Sequence, residues 1–140
     1  MLTDRAAAFH VDFGQSPYHK VNATTTSPLL FNRVLLNTGN GFDVSTGIFT
    51  TPFSGLYTFT LYYLPDWHNG TTEMAIYSNG VRLAVGIAEG YYIDENDQGS
   101  CTAVTHLVTG QQVYTKLSNG EPLLWGSPLT SLTGMLVHSD

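Results

Sequence analysis

The densest group of polar side chains in the sequence lies in one short segment, Tyr91-Tyr-Ile-Asp-Glu-Asn-Asp-Gln98. Hard cations such as calcium prefer several oxygen ligands, and carboxylates, an amide and backbone carbonyls are all present here. Asp94, Glu95 and Asp97 supply the carboxylates, and Asn96 supplies the amide. The segment therefore predicts either a calcium site with Asp94 and Asp97 as ligands or a solvated acidic loop.

Aromatic and polar side chains suited to sugar binding occur in the same segment and in one other. An aromatic ring stacks on the apolar face of a sugar, while acids and amides pair with its hydroxyl groups. Both segments are predicted loops, where binding residues concentrate. The candidate ligand-binding residues are Tyr91, Tyr92, Asp94, Asn96, Trp67 and His68. The alternative is that the aromatic rings cover core edges or contacts between protomers.

Residue patterns typical of catalysis are missing from the sequence. It contains no G-x-S-x-G, H-E-x-x-H, C-x-x-C or phosphate-loop motif. Cys101 and His106 lie at an odd offset, which places them on opposite faces of a continuous strand. Cys101 is the single cysteine, so no internal disulfide forms. These observations predict that the protein is not an enzyme.

Composition excludes two classes of partner. The net charge is −6, and the five fixed cations are scattered along the chain. Binding to a nucleic acid or to an anionic membrane needs clustered Lys and Arg. No apolar run approaches the roughly 18–20 residues that span a bilayer. The sequence therefore predicts no nucleic-acid partner and no membrane insertion.

The elements that must position the candidate residues are almost all strands. In Gly55–Tyr63, aromatic and aliphatic residues alternate with threonine, the period of a strand with one buried face. The other runs predicted as strands are 8–13, 29–36, 48–51, 72–77, 81–87, 102–107, 112–117 and 131–138. Asn-Gly pairs separate several of them and supply the positive φ of tight hairpins, most clearly Asn79-Gly80. The pattern predicts a single all-β domain over residues 1–140, a sandwich or jelly roll.

The stretch FNRVLLNTGNGFDVSTGIFTTPFSGLYTFTL resembles the aromatic signature of the complement C1q globular-head family. The positions at the family's spacing are Phe31, Asn37, Phe42, Phe49, Gly55, Tyr57 and Phe59. Leu61 stands where the family has Phe or Tyr. The opening AFHVDF, the segment VTHLVTGQQVYTKL and the closing SLTGMLV resemble the first strand, the late hairpin and the last strand. We expect the signature aromatics to pack in the core and not to contact a ligand.

The resemblance implies a ten-stranded jelly-roll β-sandwich of the C1q and tumour-necrosis-factor type, which forms a homotrimer and is secreted. It implies a soluble lectin of innate immunity that binds glycans or microbial surface groups. The alternative that it implies is a hormone- or cytokine-like ligand for a protein receptor. The segment DQGSCTAVTHL resembles that of the calcium-binding heads, in which an aspartate at the place of Asp97 helps to hold calcium.

Members of the family include sialic-acid lectins, and in this chain the sialic carboxylate would need Arg82, Arg33 or backbone amides. Asn22-Ala-Thr24 and Asn69-Gly-Thr71 match the acceptor sequence for N-glycosylation. Asn22 and Asn69 are therefore candidate glycosylation sites, and they matter only if the protein is secreted.

Overall fold

The computed structural model describes residues 5–14, 19–66, 70–90 and 98–140. Within these ranges, twelve strands form two antiparallel sheets, and the one helical element is a 3-10 turn at Ser127–Leu129. The seven-stranded sheet contains β1 (Ala8–Asp12), β2 (Lys20–Asn22), β3 (Arg33–Thr38), β6 (Gly55–Pro65), β9 (Gly99–Leu107), β11 (Leu123–Trp125) and β12 (Ser131–Ser139). The five-stranded sheet contains β4 (Phe42–Asp43), β5 (Ile48–Thr50), β7 (Gly70–Ser78), β8 (Val81–Gly90) and β10 (Gln112–Gly120).

The two sheets form the predicted all-β jelly roll. The seven-stranded sheet runs in the order β2-β11-β6-β12-β1-β3, with β9 also paired to β6, and the five-stranded sheet in the order β4-β5-β10-β7-β8. The long strand β6 pairs with β12 on one side and β9 on the other, so that Thr58 lies between Met135 and Val104. Its alternating side chains therefore set one buried and one outward face for this sheet.

The core between the sheets is built largely from the signature aromatics, as expected. Phe9 of β1 stacks on Phe49 of β5, with ring centroids 4.8 Å apart. Phe49 also meets Tyr57 and Phe59 of β6 edge-on, at 5.9 and 5.8 Å. All four rings are fully buried. Because each removes a large apolar area from water, their contacts are the main attraction between the two sheets.

Two small signature residues fix the backbone around this core. Asn37 donates a hydrogen bond to the Phe42 carbonyl at 2.9 Å and accepts one from the Phe42 amide at 3.0 Å. It thus holds the two-residue strand β4 against the end of β3. Gly55 lies so close to the His138 carbonyl oxygen that a side chain at this position would collide with it. This close backbone approach explains why glycine occupies this position of the signature.

The turns agree with the Asn-Gly signals in part. Asn79 and Gly80 both have positive φ, 51° and 76°, and join β7 directly to β8 as predicted. At Asn40-Gly41, positive φ falls on Gly39 and Asn40 instead. The strands β2, β4 and β11 were not predicted, because two or three residues are too few to show a period. The run from Leu29 becomes a strand only at Arg33; Leu29 and Phe31 are buried outside the ladders.

Replacing Asn37 with alanine leaves the Phe42 amide and carbonyl without their partners in a partly buried position. We expect Asn37→Ala to lower the free energy of unfolding by about 2 kcal/mol, measured by chemical denaturation. Asn32→Ala is the matched control, since Asn32 accepts one exposed hydrogen bond, from the Gly14 amide. An equal loss of stability in both variants would contradict the role given to Asn37.

Candidate functional site

Most of the residues predicted to bind a ligand lie outside the described residues. These are Tyr91, Tyr92, Asp94, Asn96 and Asp97 in one segment, and Trp67, His68 and the sequon residue Asn69 in another. Arg82 and Asn22 are described, and both are exposed. What the structure does show is where the chain enters and leaves each segment.

Segment 67–69 ends, and segment 91–97 begins, at the same end of the five-stranded sheet. Gly70, which directly follows residues 67–69, pairs with Gly90, which directly precedes residues 91–97. The amide of Asp66 donates to the carbonyl of Leu123 at 2.9 Å, and Leu123 in turn pairs with Asn22. The flanks of both segments and the first sequon are therefore within a few strand widths of one another.

Arg82 lies near the opposite end of β8 from Gly90. At about 3.3 Å per residue, the two are about 26 Å apart along the strand. The sequence predicted Arg82 as a ligand-binding residue, a partner for the carboxylate of a sialic acid. In the structure, Arg82 instead belongs to a different group of side chains on the outward face of the five-stranded sheet.

This group, the tyrosine–cation patch, consists of Tyr77, Arg82, Tyr114, Lys116 and Ser118. Tyr77 on β7 lies directly between Tyr114 on β10 and Arg82 on β8. The two tyrosine rings are nearly parallel, with 9° between their planes and 5.8 Å between their centroids. The Lys116 ammonium lies 4.5 Å from the centroid of the Tyr77 ring. Nη1 of Arg82 donates a hydrogen bond to Oγ of Ser118 at 2.8 Å.

Sequence reasoning missed four members of this patch. The alternation in MAIYS and QVYTKLS places Tyr77, Tyr114, Lys116 and Ser118 on outward faces, and this was the available signal. Their proximity could not be read from it, because the register between β7 and β10 is a tertiary property.

Two of the other cations are paired with carboxylates. Arg33 forms two parallel hydrogen bonds with Asp12, at 2.7 and 2.8 Å, and this contact raises the pKa of the Arg33 guanidinium. The Asp12 side chain is only 2% exposed, so the pair neutralises a buried carboxylate. Lys20 lies 2.8 Å from a carboxylate oxygen of Asp66. Arg33 is therefore engaged by Asp12 through Nε and Nη2.

The thiol and imidazole of β9 are separated as predicted. Cys101 pairs with the buried Leu61, whereas His106 pairs with the exposed Leu56 and contacts the Asp140 carboxylate at 2.9 Å. Burial raises the pKa of the Cys101 thiol to about 11, so it is protonated at neutral pH. Nowhere in the described ranges do three His, Cys, Asp or Glu side chains gather as metal ligands would.

The outward face of the seven-stranded sheet carries unusually large apolar side chains. We call it the apolar face, and its exposed members are Leu36, Leu56, Tyr62, Val104 and Met135. Between β1, β6 and β12 it is concave, with a depression of about 320 Å³. Leu36, Met135 and threonines at 58, 60 and 133 line this depression together with His10, which is the one titratable residue among those that line it.

A jelly roll with this arrangement of sheets defines a class of β-sandwich domains, and comparison with known proteins identifies the family. The family model of the C1q domain matches residues 8–137. The human and mouse proteins called complement C1q tumor necrosis factor-related protein 3 are each 33% identical to the chain over 104 residues. This match covers 67% of the chain and 38% of each relative. The chain belongs to the C1q domain family.

Solved structures show the same fold. The globular domain of zebrafish complement 1qA aligns with a TM-score of 0.76 at 21% identity, covering 96% of this chain and 99% of that one. Murine APRIL at pH 5.0 aligns with a TM-score of 0.73 at 19% identity, covering 95% of this chain and 100% of that one. Eiger TNF from S. frugiperda aligns with a TM-score of 0.69 at 16% identity, covering 96% of this chain and 94% of that one. At these identities the likeness concerns the fold alone. Among the described residues, no helix has the length and apolarity needed to cross a membrane.

The raised pKa of Cys101 makes its reactivity predictable. Because about two pKa units separate the buried thiol from an ordinary one, native protein at pH 8 should react with a disulfide reagent on the order of 100-fold more slowly than the chain unfolded in urea. Stopped-flow absorbance measures both rates. Fast labelling of the native protein would show that Cys101 is accessible and ionised, and would reopen the question of thiol chemistry.

Proposed function

We propose that this chain is a secreted, trimeric C1q-type recognition domain that binds glycans or microbial surface groups and catalyses no reaction. The observation that carries the ligand part is the pairing of Gly70 with Gly90. It supports a joint site in which aromatic residues of segments 67–69 and 91–97 meet. Three copies of such a site on one trimer raise the overall avidity even where each site is weak.

The apolar face supports the trimer. Val104 is 65% exposed and Met135 50% exposed in the isolated protomer, and they lie on either side of Thr58. Monomeric proteins rarely leave such contiguous apolar area in water. A closed ring of three protomers covers the face of each copy without leaving an open end. We infer that the seven-stranded sheet faces the neighbouring protomers.

A glutamate on this face should dissociate the trimer. We expect the native protein to sediment at three times the protomer mass of 15.3 kDa, and Val104→Glu to sediment as a monomer. The reason is that the buried carboxylate would have no partner in the interface. Val108→Glu is the matched control, because Val108 is 50% exposed but follows the end of β9. A native protein that sediments as a stable monomer would overturn the trimer.

The residues proposed for glycan binding are Tyr91, Tyr92, Trp67 and His68 for stacking, with Asp94 and Asn96 as hydrogen-bonding groups for sugar hydroxyls. Calcium ligation by Asp94 and Asp97 remains a prediction of the sequence. Asn22, a proposed acceptor of N-linked sugar, is exposed on β2 near the flanks of the same segments.

A glycan array at physiological calcium, repeated with a chelator, tests the lectin function. We expect binding to a defined set of glycans and a loss of about tenfold in affinity for Trp67→Ala or Tyr92→Ala, since each removes a stacking surface. Val108→Ala should bind as the native protein does. A loss of binding in chelator would support a calcium ion at Asp94 and Asp97. Silence across sialylated, mannosylated and bacterial glycans would contradict the lectin proposal.

The second candidate is a hormone- or cytokine-like ligand for a protein receptor. The names of the relatives favour it: both are called tumor necrosis factor-related, and APRIL and Eiger TNF share the fold. The chain spans 38% of the length of the curated relatives that it matches, so it would correspond to one part of such a protein. A cell-surface protein bound at nanomolar concentration, with no response on the glycan array, would select this function.

A further inference from the structure

We propose that the tyrosine–cation patch on the five-stranded sheet is a second binding site, specific for carboxylate-bearing saccharides. Arg82 would bind the carboxylate, Tyr114 and Tyr77 would support the sugar ring, and Lys116 and Ser118 would bind its hydroxyl groups. The site deepens the proposed recognition function and rests on it. It differs from the candidate site at the Gly70–Gly90 end, about 26 Å away along β8.

The patch depends on a shift in register within β8. Arg82 pairs with Tyr77 and Val85 pairs with Ala75, so both point outward although their positions differ by three, an odd offset. The irregularity between Ile76 and Tyr77 accounts for this shift. Without it, the guanidinium would point towards the core.

The side chains of Arg82 and Lys116 cross the sheet in opposite directions, and each contacts a residue on a neighbouring strand. Arg82 begins beside Tyr77 and reaches Ser118, whereas Lys116 begins beside Ala75 and reaches the Tyr77 ring. The small Ala75 between them is fully buried although its strand position faces outward. Because both side chains already have partners on the sheet, binding a ligand costs less conformational entropy than fixing two cations without partners would.

The charge of the patch is unusual for this protein. Of the five fixed cations, Arg33 and Lys20 are paired with Asp12 and Asp66. Among the described residues no carboxylate forms an ion pair with Arg82 or Lys116. In a chain of net charge −6, two adjacent cations without an acidic partner in the described ranges favour an anionic ligand.

The neighbouring rings select the rest of the ligand. Tyr77 and Tyr114 stack on each other, and Lys116 lies over the Tyr77 ring. Tyr114 therefore has one ring face away from Tyr77, which suits the apolar face of a sugar ring. Glu73 faces outward in the row beyond Ala75, opposite Asn119 and Ile87. Its carboxylate repels a second negative charge at that side of the patch. A polysaccharide with a carboxylate on every other sugar residue therefore suits the patch better than a polymer with a charge on every residue.

The experiment measures binding of the full chain to immobilised hyaluronan, which carries one glucuronate per disaccharide, and to carboxyl-reduced hyaluronan as its uncharged match. We expect binding to hyaluronan that weakens as salt is raised, and at least tenfold weaker binding to the reduced polymer. Arg82→Gln and Tyr114→Leu should each lower the affinity for hyaluronan about tenfold. Lys20→Gln, which makes the same change in net charge on the other sheet, should have no effect.

Poly-glutamate supplies carboxylates without sugar rings. Equal binding to poly-glutamate, or an effect of Lys20→Gln as large as that of Arg82→Gln, would overturn the proposal, because attraction would then follow charge alone. Absence of hyaluronan binding would also overturn it. The proposed recognition function is contradicted by different results: no binding on the glycan array and sedimentation of the protein as a monomer. Glycan binding that depends on Trp67 or Tyr92 but not on Arg82 would retain that function and eliminate this site.

Discussion

The stacking of aromatic rings between the two sheets is the interaction on which the rest of the structure depends. Phe9 and Phe59 come from the seven-stranded sheet and Phe49 from the other, and their ring centroids lie within about 6 Å. Gly134 makes this possible, since a side chain there would collide with the rings of Phe9 and Phe59. Because these rings account for so much of the apolar burial, the outward faces are free to vary with function.

The outward faces of the two sheets consequently have different chemistry. The seven-stranded sheet presents Leu36, Val104 and Met135, with threonines between them. The five-stranded sheet presents the paired tyrosines and two of the five cations. An apolar face with few charges suits permanent contact with identical copies, whereas a face with ordered cations suits reversible contact with a charged ligand. One sandwich can therefore assemble through one sheet and bind through the other.

The sequence predicted the parts of the fold that follow from periodicity. The alternation in Gly55–Tyr63 predicted a sandwich or jelly roll, and the resemblance to the C1q family implied a jelly roll with the signature aromatics in its core; both are confirmed. Among the strands of two or three residues, β5 was predicted, whereas β2, β4 and β11 were missed because they are defined by pairing partners and not by a pattern of their own. Asn37 matched the family, but its clamp on Phe42 became visible only in the structure.

The candidate site was harder to predict for a related reason. A side-chain period of two assigns each strand residue to a face only while the register is unbroken. In β8 the register shifts next to Arg82, so the alternation from Ile87 backwards assigns that arginine to the wrong face. The same shift packs Leu83 and Ala84 against the core. Had the strand been regular, Arg82 would have been an unpaired buried cation, which costs several kcal/mol or more. The irregularity is therefore what makes an arginine at this position compatible with the fold, and it also brings that arginine beside Tyr77.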